Sequence, residues 1–208
     1  MFQKFSRFSK LCFSFIILGI IQESDAHPSS IESARQSMNC RHIAKILERH
    51  YQIPDGLLQA IGTVESRLKA WVVCEGRRGI HFSSKGEAET YLKKILGSGC
   101  SEDIFVGCMQ LSYRNHRKRF KTCADLLNPF QNLNYAAKMI VRFYRQFGNW
   151  EKAIRCYHHS RESASSRRYA QKVLAAWRKI NPLFAQKNIA YRIDNGKTVY
   201  YLKQMASS

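Results

Sequence analysis

The chain has 208 residues and a strongly basic composition, with 34 lysines and arginines against 15 aspartates and glutamates and a formal net charge of +19. No apolar run reaches the roughly 20 residues that a membrane span requires, and neither internal repeats nor heptads occur, which excludes a multispanning membrane protein, a solenoid and a coiled coil. A charge of this sign attracts a polyanion, whether nucleic acid, an anionic membrane or an acidic wall polymer.

The first segment carries Lys4, Arg7 and Lys10, then an apolar run from Leu11 to Ile21, then Ser24-Asp25-Ala26 as a small-x-small cleavage signal. This is the pattern of a signal peptide over residues 1–26, with an uncleaved N-terminal anchor as the alternative. The mature chain is therefore expected to be soluble and periplasmic or secreted, and export makes wall and membrane the favoured polyanions over nucleic acid. Cleavage removes three basic and two acidic residues and leaves a net charge of +18. Of the seven cysteines, Cys12 leaves with the signal, so Cys40, Cys74, Cys100, Cys108, Cys123 and Cys156 remain. An even number in an exported chain favours disulfides, with no pairing selected; partly free buried thiols are the alternative, because a core of this size does not need staples.

Residues 27–38 are polar and form an expected linker, and the folded domain is expected to span 39–178. Ile43, Ile46, Leu47 and Tyr51 fall at helical spacing. Pro54 suits the first turn of a second helix, whose apolar stripe is Leu57, Leu58, Ile61, Val64 and Leu68 and which carries Glu65. Residues 69–83 hold scattered glycines and charges and are expected to be irregular. Ser84-Lys-Gly-Glu87 is a capping box for a helix through Ala88, Tyr91, Leu92 and Ile95. Ile104-Phe105-Val106 predicts a strand or buried turn before Gly107-Cys108-Met109-Gln110, a loop that lines something, with Gly107 permitting close backbone approach. Asn128-Pro129 opens the clearest helix, with Leu133, Ala136, Ala137, Ile140, Val141 and Tyr144 on one face and Gly148 as its stop. Asn149 caps the next helix, residues 160–166 predict a loop, and Tyr169, Val173, Ala176 and Trp177 predict a last helix. Residues 189–202 alternate around Asn195-Gly196, which signals a hairpin in the tail 179–208; a disordered basic tail is the alternative. The fold class is mainly α, with an irregular insertion and a small C-terminal hairpin.

Glu65 follows Ile61 by four residues and Leu58 by seven, so it sits at the edge of their buried face. Desolvation there raises a carboxyl pKa and suits a proton donor, as in the lysozyme acid that serves as the general example of this effect. From periodicity alone, a surface Glu paired with Lys69 is the favoured reading. Its company adds to the case: Val64-Glu65-Ser66-Arg67, Gly107-Cys108-Met109-Gln110 and Cys156-Tyr157-His158-His159-Ser160 occur in that order on a helical domain. This set resembles the lytic transglycosylases of the SLT, goose-type-lysozyme-like class. The similarity runs from about Cys40 to Trp177 and includes Ile53-Pro54, Asn128-Pro129 with Asn132, Tyr135-Ala136-Ala137 and Gly148-Asn149-Trp150.

The resemblance implies a lysozyme-like domain that cleaves the β-1,4 bond between N-acetylmuramic acid and N-acetylglucosamine in peptidoglycan and leaves 1,6-anhydro ends. It implies that Glu65 is the catalytic acid and then base, and that Ser66, Met109, Gln110, Tyr157 and His158 bind the glycan, with the Met109 backbone lining the cleft and Tyr157 positioning the Glu or the sugar. It implies no cofactor and no metal. Two features depart from the compact members of the class: the insertion from Cys74 to Val106, and His158 where many have Asn. Phe82, Ser84, Ala88 and Tyr91 resemble a branch that carries such an insertion.

Other readings stand beside this one. A hydrolytic muramidase needs a second carboxyl, for which Asp103 is the best candidate among Glu75, Glu87, Glu89, Glu102 and Asp103. A non-catalytic cationic wall-binding protein needs none. Cys156, His158 and His159 lack metal-ligand spacing, and Arg114-Asn-His-Arg-Lys-Arg119 is a solvated basic face sooner than a nucleic-acid site. The expected partner is the glycan strand of peptidoglycan, bound by a monomer. The sequence leaves open membership of a cell-envelope-spanning secretion or motility complex.

Overall fold

The computed structural model describes residues 39–76, 78–98, 103–159, 163–185, 189–194 and 197–202. The expected signal peptide and linker, Cys100 and Glu102, and residues 160–162 lie outside the described residues.

Helix α1 (Cys40–His50) begins at Asn39, whose side chain accepts from the His42 amide at 2.9 Å. Cys40, Ile43, Ala44 and Leu47 repeat at helical spacing and are buried. Ile46, expected on this stripe, is instead 43% exposed, since it falls about a third of a turn off the buried row. Glu48 is also buried on the inner face and reaches the start of α2 (Leu57–Ser66). Its carboxylate accepts from the Gly56 amide at 3.0 Å, the Gln59 amide at 3.0 Å and Gln59 Nε2 at 2.9 Å. These donors include amides that a helix start leaves unpaired, so Glu48 caps α2 from another helix. Pro54 accordingly stands before α2 rather than in its first turn, and Gly56 enters the helix with φ 86. A Cβ at Gly56 would lie 2.8 Å from the Ile180 side chain. Helix α2 is buried almost all round and ends where Arg67 and Leu68 both take φ 59.

The stretch expected to be irregular instead forms a hairpin of β1 (Val72–Glu75) and β2 (Arg78–His81), which joins β3 (Ile104–Val106) and β4 (Leu111–Ser112) in an antiparallel sheet of order β2-β1-β3-β4. Val73 opposite Val106 is the buried centre of that sheet. Within the insertion lies α3 (Lys85–Gly97), capped by Ser84, while the Glu87 carboxylate accepts from the Ser83 hydroxyl at 2.8 Å rather than closing a box on Ser84. Then come α4 (Tyr113–His116), α5 (Pro129–Phe147), α6 (Trp150–His158) and α7 (Ala164–Ile180). Asn128, Asn149 and Ser163 cap the last three, and Gly148 at φ 62 ends α5. Helix α7 takes in 164–166, which were expected to be loop, because Ser163 and Ser166 cap one another reciprocally. Helix α2 packs against α1 and α7, and α5 against α1 and α6. Strands β5 (Ile189–Asp194) and β6 (Lys197–Leu202) form the expected hairpin in antiparallel register. The architecture is mainly α and lysozyme-like. Among the described residues no helix is long and apolar enough to cross a membrane.

Cys40, Cys74, Cys108, Cys123 and Cys156 are free thiols, so the expected disulfides do not occur among the described residues. Cys40 and Cys108 are buried together, and burial with the Cys40 hydrogen bond pushes the Cys108 thiol well up. Hydrophobic burial rather than cross-linking holds this core.

One side chain ties α5 to the loop between β3 and β4. Asn132 is fully buried; its Oδ1 accepts from the Met109 amide at 2.8 Å, and its Nδ2 donates to the Val106 and Leu126 carbonyls at 2.9 Å each. Gly107, at φ 80, makes room for it, since a Cβ there would stand 2.3 Å from Asn132 Nδ2. Asn132→Ala strands three buried backbone groups and is expected to cost about 3 kcal/mol or more, read as a lower denaturant midpoint in equilibrium unfolding. A midpoint within error of the unsubstituted protein's would show that the loop does not depend on this side chain.

Candidate active site

The end of α2, strand β1, the loop after β3, helix α4 and the end of α6 enclose a cleft of about 370 Å³. Glu65 lines it from the last turn of α2, facing Cys74, Gln110, His116, Tyr157 and His158, and among the described residues it is the only carboxylate lining the cleft. Glu65 is half-buried, and burial pushes its pKa up from 4.5 to about 7, with a hydrogen bond from Tyr169 pulling the other way. That bond runs from the Tyr169 hydroxyl to Glu65 Oε1 at 2.5 Å. Burial and the neighbouring Glu65 hold the Tyr169 phenol well above its usual range, so it remains a donor.

Of the residues singled out from the sequence, Glu65, Gln110, Tyr157 and His158 line one cleft, while Ser66 and Met109 stand behind its wall. The Ser66 hydroxyl donates to the Cys108 carbonyl at 2.7 Å, fastening α2 to the loop. Met109 is fully buried; its amide is taken by Asn132, and its carbonyl accepts from the Tyr157 hydroxyl at 2.7 Å. Gln110 has φ 46, and its Nε2 donates to the Gly107 carbonyl at 2.8 Å, which folds the carboxamide over its own loop. Tyr157 therefore braces the loop and lines the cleft close enough to Glu65 for the carboxylate, after burial, to help raise its phenol pKa, while the hydrogen bond to Glu65 comes from Tyr169. His158 stacks on the Tyr169 ring at 4.4 Å and 8°, and burial, with His159 and Lys172 nearby, lowers its pKa from the usual histidine range.

Sequence reasoning missed Tyr169, His116 and Cys74. Tyr169 lies on the apolar stripe of α7 and reads as core; only its polar end, four residues before Val173, signals a second task. His116 sat within a run taken for a solvated basic face; its Nδ1 lies 3.1 Å from the Tyr135 hydroxyl, and burial and Arg142 lower its pKa. Cys74 lies close enough to Glu65 for the carboxylate to help raise its thiol pKa, after burial. Among the described residues, none of the rival carboxyls lines the cleft. Asp103 is exposed and lends its carbonyl to the Gly76 amide at 3.0 Å, and Glu75 accepts from the Tyr91 hydroxyl at 3.0 Å.

A helical domain with a raised carboxyl at a helix end facing a cleft walled by a small antiparallel sheet is a lysozyme-like arrangement. Residues 42–177 match the family model of the transglycosylase SLT domain, and the chain belongs to that family, whose members are peptidoglycan lytic transglycosylases. No curated protein and no solved structure gave a match.

The raised Glu65 pKa has a consequence for stability. The folded state holds this proton more tightly than the unfolded chain does, so the stabilisation is complete below about 4.5 and is lost as pH rises through about 7. The displacement corresponds to about 3 kcal/mol at most. Burial likewise raises Glu48 to about 7, so both carboxyls act in the same window. Glu65→Gln removes one of them, and unfolding free energies at pH 5 and pH 8 are expected to differ less in this variant, by up to about 3 kcal/mol. An unchanged difference would place the Glu65 pKa near its ordinary value.

Proposed function

We propose that this enzyme cleaves the bond between N-acetylmuramic acid and N-acetylglucosamine without water and leaves a 1,6-anhydro ring on the muramic residue. The observation that carries this reading is that Glu65, raised to about 7, is the one carboxylate lining the cleft among the described residues. A hydrolase of the usual kinds needs a partner carboxyl about 5 to 10 Å away as nucleophile or base. Here one group serves twice. Protonated Glu65 gives its proton to the glycosidic oxygen as the C1–O bond breaks and the N-acetylglucosamine end departs. The resulting carboxylate then takes the proton of the muramic 6-hydroxyl, whose oxygen closes on C1. The acid is restored and no water is consumed.

Tyr169 holds the carboxyl in place and, by donating to Oε1, steadies its ionised form between the two steps. Gln110 and His158 line the path of the sugars, and Tyr157 fixes the loop on which Gln110 stands. In this reading the N-terminal segment directs export, the enzyme works as a monomer in the periplasm or outside the cell, and the basic surface draws it to acidic wall material, a pull that salt weakens.

Glu65→Gln is expected to reduce release of soluble fragments from purified sacculi by a factor of about 10³ or more, and mass spectrometry of the products of the unsubstituted enzyme to find ends one water lighter than hydrolysed ends. Reducing ends would assign a hydrolytic muramidase; release of fragments by the variant at the original rate would remove Glu65 from the mechanism.

Tyr169→Phe removes a bond that favours the carboxylate, so the alkaline limb of kcat/KM is expected to move to higher pH from about 7. A limb that stays in place, or moves to lower pH, contradicts the role given to Tyr169.

A further inference from the structure

A second concavity, of about 600 Å³, lies at the opposite end of α2 from the cleft, between α1, the turn at Asp55 and Gly56, and the C-terminal end of α7. Glu65 stands nine residues along α2 from Gly56, which separates the two sites by about 14 Å of helix. Arg41, Lys45 and Arg49 line this groove at successive turns of α1, and Lys179 faces them from the last turn of α7. All four are exposed, and none takes part in an ion pair among the described residues. Two carboxylates lie lower in the groove, Glu48 and Asp55; Glu48 is already saturated by the amides of the α2 start. Ile180 and the 44% exposed Leu183 add an apolar edge.

The excess of cations calls for a ligand with several negative charges. Side chains four apart on a helix recur about every 6 Å, and long, flexible lysine and arginine side chains can reach carboxylates carried on neighbouring residues of a bound peptide. A phosphate seeks a free helix N-terminus, and here Glu48 fills that place. The charges therefore stand at the rim beside apolar surface, which suits carboxylates and methyl groups along a peptide. We propose that this groove binds the carboxylate-bearing stem peptides of peptidoglycan and so holds the strand at a second point while the cleft cuts the glycan. The proposal rests on peptidoglycan as the substrate of the cleft.

Calorimetric titration of the full chain with N-acetyl-L-alanyl-γ-D-glutamyl-meso-diaminopimelyl-D-alanine reads binding without catalysis, so its outcome is independent of the fragment-release assay. Arg41→Gln/Lys45→Gln/Arg49→Gln is expected to weaken binding at least about tenfold. The control Lys94→Gln/Lys121→Gln/Arg168→Gln, with the same charge change spread over three exposed sites, and Glu65→Gln are expected to bind as the unsubstituted chain does. On intact sacculi the groove variant should show a raised KM at unchanged kcat, and on amidase-stripped strands it should match the unsubstituted enzyme. Equal peptide binding by the groove variant, equal impairment on stripped strands, or inorganic phosphate or anionic phospholipid vesicles binding the same three residues more tightly than the peptide would each overturn the proposal.

Discussion

The cleft depends on one buried carboxamide. Asn132 places a donor and an acceptor where the chain after β3 turns back toward β4, and it meets the Val106 and Leu126 carbonyls and the Met109 amide at once. A loop with buried peptide groups needs such partners, because water cannot reach them. Once the loop is pinned, the Cys108 carbonyl receives Ser66 and the Met109 carbonyl receives Tyr157, which fastens the ends of α2 and α6 to the same few atoms. Glu65 and Gln110 then face one another across a space set by backbone, with Gly107 giving the clearance that allows it.

Against this fixed frame the acid is tuned by two opposed effects. Burial resists the charge and a phenol accepts part of it, and burial is the larger. A carboxyl near 7 can lose and regain its proton without a large penalty in either direction, which is what a group acting in turn as acid and base requires. His158, stacked on Tyr169 and with its pKa lowered by burial, packs against the phenol that holds the acid.

How much of this was legible in the sequence follows from the range of each signal. Helices announced by local chemistry, such as Asn128-Pro129 through Gly148, were read with their ends, and so was the Asn195-Gly196 hairpin. The Val72–His81 hairpin was not, because its strands are short and gain their burial from Val106, more than thirty residues away. Glu65 was visible from its face and its motif companions. Its partner was not: Tyr169 lies 104 residues on and presents itself as core. Ser66 and Met109 belong to the motifs yet point away from the cleft, since a motif records which residues travel together and not which way each turns. Glu48, a single acid amid basic neighbours on α1, gave no sign of capping another helix. The cysteines suggested cross-links by number alone, and number carries no geometry.

Helix α2 has a carboxyl at each end, and the two are not equivalent. At its start, Glu48 comes from outside and cancels the positive pole; at its finish, Glu65 belongs to the helix itself, with no basic residue in the last turn to offset the negative pole. The rod is thus electrically lopsided, and its aligned peptide dipoles press against ionisation of the reacting group, beyond the effect of burial. That bias is carried by the main chain and stands as long as the last turn holds no basic side chain.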